Sequence, residues 1–141
     1  MKITLERINN EYLFECRNDA GNTVLLDNTS EAGARGVSPM ENLLMSVVAC
    51  SGIDVVSILK KQRQEVTGFR AETEGERTAV DEAKPFSKIT VRFFLEGPVD
   101  PEKARKAAAL SFEKYCSVSK SLNPEMELLY EVFVNEKPAR D

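Results

Sequence analysis

The sequence predicts an α+β domain of mainly antiparallel strands organised around one long apolar helix. Three observations carry that prediction. Between Ser38 and Gln62, residues Met40, Leu43, Leu44, Val47, Val48, Ser51, Val55, Ile58 and Leu59 recur at three- and four-residue steps, the spacing of one buried helical face. On either side, apolar and polar residues alternate with the two-residue period of half-buried strands. The charged and apolar fractions, 30% and 42%, suit a globular chain, and 141 residues suffice for a single domain over residues 1–141 with a core of its own.

The first third reads as a meander of short strands. Ile3 and Leu5 alternate with polar neighbours, Asn9-Asn10 marks a turn, and Tyr12, Phe14 and Cys16 share one face of a second strand. Asp19-Ala20-Gly21-Asn22 makes a further turn before a third strand from Thr23 to Asp27. A small, polar loop follows, with Gly33 and Gly36 bracketing Arg35, and leads into the helix. Ser38 is the expected N-cap, Pro39 the first helical residue, and Glu41 completes an S-x-x-E capping box. A second apolar stripe (Met45, Ala49, Ile53, Val56) makes the helix apolar nearly all round, so its own sheet and a second chain are both expected to cover it. The helix is expected to stop between Lys61 and Gln64.

Phe69, Ala71 and Thr73 suggest a fourth strand, and a charged linker is expected from Glu76 to Pro85. Ile89, Val91, Phe93 and Leu95 then alternate cleanly with Lys88, Thr90, Arg92 and Phe94. Asp100-Pro101-Glu102 opens another helix through Tyr115, with Ala104, Ala107, Ala108, Ser111, Phe112 and Tyr115 on its apolar face. The alanines would allow close approach to the central helix. Cys116 to Leu122 reads as a short helix ending before Pro124, and Met126, Leu128, Tyr130, Val132 and Val134 line a last strand.

Composition excludes several chemistries. There is no histidine, which removes Ser-His, Cys-His and histidine-ligated metal sites. The three cysteines (Cys16, Cys50, Cys116) are far apart with no C-x-x-C, so neither zinc, any other metal, nor a further cofactor is expected. Net charge is −4 and no basic face is visible, so no nucleic-acid partner is expected. Gly52, Asp54 and serines interrupt the most apolar stretch short of the roughly 20 residues that span a bilayer, and the N-terminus lacks a secretory apolar run. The expectation is a cytoplasmic chain with no membrane partner. Cysteine function is then redox or nucleophilic.

The segment Gly36-Val37-Ser38-Pro39-Met40-Glu41-Asn42-Leu43-Leu44 running to Cys50, with Tyr115-Cys116-Ser117-Val118-Ser119-Lys120-Ser121-Leu122, resembles the OsmC/Ohr family of osmotically inducible and organic-hydroperoxide-resistance proteins. The likeness covers essentially the whole chain in element order. Met40-Glu41, Met45 and Asp54-Val55-Val56 look closer to the YhfA-like branch. The resemblance implies an OsmC-like fold, antiparallel sheets wrapped around a long central helix, in an intertwined homodimer with two sites at the subunit interface. It also implies thiol-dependent reduction of organic hydroperoxides, with Cys50 the peroxidatic and Cys116 the resolving cysteine, regenerated by a dithiol reductant.

Each candidate has a second reading. Cys50 would otherwise be a buried core thiol. Local sequence nominates Cys116, at a helix start, as the more acidic thiol, whereas the family assigns the attack to Cys50. Arg35 is the candidate cation for the thiolate, with Arg17 and Arg92 as fallbacks. Glu41 is a candidate acid, yet peroxidase relatives carry the acid directly after the proline, where this chain has Met40. Glu41 also precedes Cys50 by roughly 13 Å of helix, so it would meet such a cysteine only from the partner subunit, and capping explains it adequately. Asp54, one turn beyond Cys50, is expected to pair with a cation or with the partner chain, and Cys16 to sit in the core. Met40, Leu44 and Val47 are the expected lining of an apolar substrate pocket. The alternative function is a non-catalytic OsmC-fold dimer that binds a small apolar ligand.

Overall fold

The computed structural model describes residues 1–140, which divide into one unit of Met1–Leu43 and a second beginning at Leu44. In the first unit, β1 (Thr4–Arg7), β2 (Phe14–Arg17) and β3 (Thr23–Leu26) form an antiparallel meander in the order β1-β2-β3. Its turns are made as expected from Asn side chains: Asn9 Oδ1 accepts from the N–H of Glu11 (3.0 Å), and Asn18 Oδ1 from that of Asn22 (2.8 Å). Cys16, opposite Leu5 and Val24, is half-buried, not sealed in a core.

The loop after β3 delivers the chain to α1 (Pro39–Lys61). The capping box is closed at both ends: Glu41 N–H donates to Ser38 Oγ (3.1 Å), and Ser38 N–H donates to Glu41 Oε1 (3.2 Å). With its 23 residues and a mean hydropathy of 1.9 over its best 18-residue window, α1 is long and apolar enough to cross a membrane. The interruptions read in the sequence do not shorten the apolar stretch, although the core helix of a globular protein passes the same test of length and composition. Gly52, Asp54 and the serines are too few to lower the average, and 28% of that window is buried within the chain.

The second unit is built on a four-stranded sheet, β4 (Gly68–Arg77), β5 (Phe86–Glu96), β6 (Glu127–Val134) and β7 (Lys137–Pro138), in that order. Burial along β5 follows the expected alternation: Ile89, Val91, Phe93 and Leu95 are inside. They meet Val47, Val55 and Leu59 of α1 and Val132 and Val134 of β6 in one core. β5 and β6 run parallel, unlike the other neighbours, because the chain between them makes a helical crossover instead of a hairpin. The stretch from Glu76 to Pro85 is no open linker. β4 runs on to Arg77, and the hairpin is closed by reciprocal bonds between Val80 and Ala83 (2.9 and 3.0 Å).

The crossover begins with α2 (Pro101–Leu110), where Asp100 accepts from Glu102 N–H (2.9 Å) and Pro101 takes the first helical position. Ala104, Ala107 and Ala108 are fully buried, and their close backbone approach is to β6, not to α1. The helix then widens into a π turn over Ser111–Tyr115, followed by α3 (Ser117–Lys120). The wider turn shifts the helical phase, so Tyr115 stands exposed and Cys116 falls on the buried face instead.

Phe93 is fully buried, with the Phe69 and Phe112 rings 5.9 and 6.2 Å from its own. Phe93→Ala is expected to lower unfolding free energy by about 3–5 kcal/mol, read from urea denaturation midpoints at unchanged slope.

Candidate active site

Two elements of the second unit bring two thiols together. Cys50 lies in the middle of α1 and is half-buried. Cys116 follows the π turn, and its N–H reaches back five residues to the Ser111 carbonyl (2.7 Å). Extended backbone at Cys116 makes it the N-cap of α3, with its sulfur accepting from Ser119 N–H (3.4 Å). The Ser119 hydroxyl donates to the Cys116 carbonyl (3.0 Å). Cys116 is fully buried, with the Cys50 thiol as a near neighbour close enough to affect its ionisation. All three cysteines are free thiols.

Burial pushes the Cys116 thiol up. The Ser119 N–H bond to the sulfur and the nearby Ser119 side chain oppose that, and the neighbouring Cys50 raises it further. The net direction is upward. The cap position of Cys116 is real, but it does not make the thiol acidic, because desolvation outweighs the help from Ser119.

The other candidate residues are placed as follows. Glu41 is exposed and its carboxylate is engaged as the cap of α1. Met40 and Leu44 are half-buried, but Val47 is sealed in the core and cannot line an open pocket. Arg35 is an exposed loop residue of the first unit whose N–H donates to Asp27 Oδ2 (2.9 Å). Both fallback arginines are committed elsewhere. Arg17 pairs with Glu15 (2.7 Å), and Arg92, on the face of β5 opposite the core, pairs with Glu74 and Glu131 (3.3 and 3.4 Å). Within the chain, Asp54 Oδ2 accepts from the buried Ser111 hydroxyl (2.8 Å), a partner the sequence did not suggest. That pairing and Ser119 escaped sequence reasoning. The only available signal was a carboxylate one helical turn from Cys50 with no cation spaced to meet it.

A shallow apolar groove of about 590 Å³ runs along α1, lined by Val48, Ala49, Gly52, Ile53, Val56 and Phe69 with Ser57 and Lys60. Gly52 makes room for the Phe69 ring, which lies 3.3 Å from where a Cβ would stand. Among the described residues, no three Cys, Asp or Glu side chains converge as a metal site would require.

A family profile described as OsmC-like protein matches residues 31–131. Protein YhfA of Escherichia coli K12 is 37% identical over 112 residues, covering 79% of this chain and 81% of YhfA. The crystal structure of a hypothetical protein from Aquifex aeolicus VF5 superposes with a TM-score of 0.83 at 31% identity, over 95% of each chain. An organic hydroperoxide resistance protein OsmC from Legionella pneumophila shares the fold, with a TM-score of 0.71 at 14% identity, over 95% of this chain and 98% of that one.

The raised pKa of Cys116 has a stability consequence of definite sign. The buried thiol supports the reduced fold fully below the ordinary cysteine pKa of about 8.5, and that support is lost as pH rises through its higher folded value. Denaturation of the reduced protein from about pH 7 to about pH 10 is expected to show stability falling more steeply than in Cys116→Ser; equal slopes would contradict the assignment.

Proposed function

The chain belongs to the OsmC-like family, and from that footing we propose that it is a thiol-dependent peroxidase reducing organic hydroperoxides through Cys50 and Cys116. The observation that carries this reading is the contact between a half-exposed thiol on a long helix and a buried thiol after a π turn. In the first step the Cys50 thiolate attacks one peroxide oxygen. The O–O bond breaks, the alkoxide takes a proton and leaves as the alcohol, and Cys50 becomes a sulfenic acid. In the second, the Cys116 sulfur attacks the Cys50 sulfur, the S–O bond breaks, and water leaves as the disulfide forms. A dithiol reductant returns both cysteines to thiols and is itself oxidised to a disulfide.

The environments suit this division of labour. Burial keeps Cys116 protonated, hence unreactive toward peroxide, until a sulfenic acid forms next to it. Cys50 is the sulfur that peroxide and reductant can reach. The family resemblance nominates Arg35 as the cation for its thiolate, while Glu41 is assigned to capping and leaves the catalytic set. The reaction is assigned to the cytoplasm, where dithiol reductants keep such cysteines cycling.

The same reading includes the homodimer, both units of each copy acting as one OsmC-like domain over residues 1–141. On α1, Ile53 is 70% exposed and Met45 47%, and the groove beside them is apolar, so a second copy's helix is the natural cover. Ile53→Lys is expected to convert a particle of twice 15.7 kDa into one of 15.7 kDa in light scattering. A wild-type monomer would overturn the dimer.

A second reading, a dimer binding a small apolar ligand without turnover, is favoured by Met40 standing where peroxidase relatives carry an acid. One equivalent of cumene hydroperoxide, followed by peptide mapping, separates the two. The peroxidase forms a Cys50–Cys116 disulfide that a dithiol reverses. Cys50→Ser consumes no peroxide, Cys116→Ser consumes one equivalent and stops at a sulfenic acid, Arg35→Gln slows the first step by about tenfold, and Glu41→Gln, which still caps, stays near wild type. Unchanged thiols in a folded wild-type protein would establish the binding module instead.

A further inference from the structure

The hydrogen bond between Asp54 and Ser111 joins the two cysteine-bearing segments and belongs to neither thiol. Ser111 is the first residue of the π turn and is fully buried. A buried serine in a helix ordinarily satisfies its hydroxyl on the carbonyl one turn back. Ser51 of α1 does so, donating to the Val47 carbonyl at 2.9 Å. Ser111 does not: its hydroxyl crosses to Asp54 Oδ2 at 2.8 Å, between residues 57 positions apart.

The consequences run in both directions along the chain. Asp54 sits one helical turn from Cys50, rigidly joined to it by α1. The Ser111 carbonyl holds the Cys116 N–H at 2.7 Å, the bond that defines the π turn. Cys50, Asp54, Ser111 and Cys116 thus form a closed circuit: helix, side-chain bond, π turn, then thiol against thiol. Without the π phase shift, Tyr115 would take the inward position that Cys116 holds. The Asp54–Ser111 bond is a polar tie between the start of that turn and α1.

We propose that Asp54 and Ser111 are positioning residues that hold Cys116 in register against Cys50, setting how readily the two sulfurs join. This builds on the two-cysteine reading, because the pair matters to function only if that disulfide is part of a cycle. The step itself needs no peroxide: with glutathione disulfide as oxidant, the two thiols become one disulfide and two molecules of glutathione leave, carrying the electrons and protons.

The test uses the full-length protein equilibrated in glutathione redox buffers, with the Cys50–Cys116 disulfide quantified by mass spectrometry. Loss of a merely structural bond destabilises the reduced and oxidised forms alike and leaves this equilibrium where it was. Loss of a positioning bond shifts it. Ser111→Ala and Asp54→Ala are expected to lower the equilibrium constant by about tenfold, or about 30 mV in potential. Asp54→Asn, whose amide oxygen still accepts from Ser111, is expected to stay within about twofold of wild type and serves also as the variant safest to fold. An equilibrium unmoved in Ser111→Ala and Asp54→Ala, an Asp54→Asn as poor as Asp54→Ala, or a wild type that forms no disulfide would each overturn the proposal. A wild type that takes the disulfide from glutathione but not from cumene hydroperoxide would sink the peroxidase reading while leaving the positioning result standing.

Discussion

Burial of one face of a 23-residue apolar helix against a four-stranded sheet is the constraint on which the second unit depends. Val47, Val55 and Leu59 go fully inside, and that fixes the rotation of α1 about its own axis. Once the rotation is set, Cys50 lies at the edge of the buried face, half in and half out, with Asp54 one turn further on. A thiol in that position is sheltered enough to have a defined neighbour and open enough to meet a small reactant.

The neighbour arrives by a different route. The crossover from β5 to β6 packs small residues against the sheet, Ala104, Ala107 and Ala108 lying buried where α2 meets β6. Continuing that helix as α would have turned Cys116 away. The π turn corrects the phase, stacks Phe112 on Tyr130 at 5.1 Å, and drops Cys116 into the interior beside Cys50. Burial then decides the chemistry. The Ser119 contacts alone would lower the thiol's pKa, but desolvation outweighs them and pushes it up. Two cysteines of the same intrinsic acidity are left by the fold in different environments, one buried and one partly open.

Much of this is legible in the amino acids, and what is not has a physical cause. The alternation from Lys88 to Leu95 and the S-x-x-E start of α1 are local patterns, and the structure contains both as read. The π turn is a phase slip with no residue signature of its own, so the sequence alone predicts a helix through Tyr115 with Tyr115 on its inward face. The apparent linker from Glu76 to Pro85 is charged because it caps a solvent-facing hairpin. At the site, spacing alone could not pair Cys50 with Cys116; only the family resemblance implies that pairing. The acidity of Cys116 failed as a local inference because burial is a tertiary property. Val47, read as pocket lining, belongs to the continuous apolar stripe that the core claims first.

The most direct measurement is a crystal structure of the peroxide-treated protein beside that of the reduced form. The account predicts an S–S bond of about 2.05 Å between Cys50 and Cys116, with α1 and the π turn unmoved and the Asp54–Ser111 bond intact. Sulfurs left apart in both structures, with Cys50 overoxidised and Cys116 still a buried thiol, would contradict it.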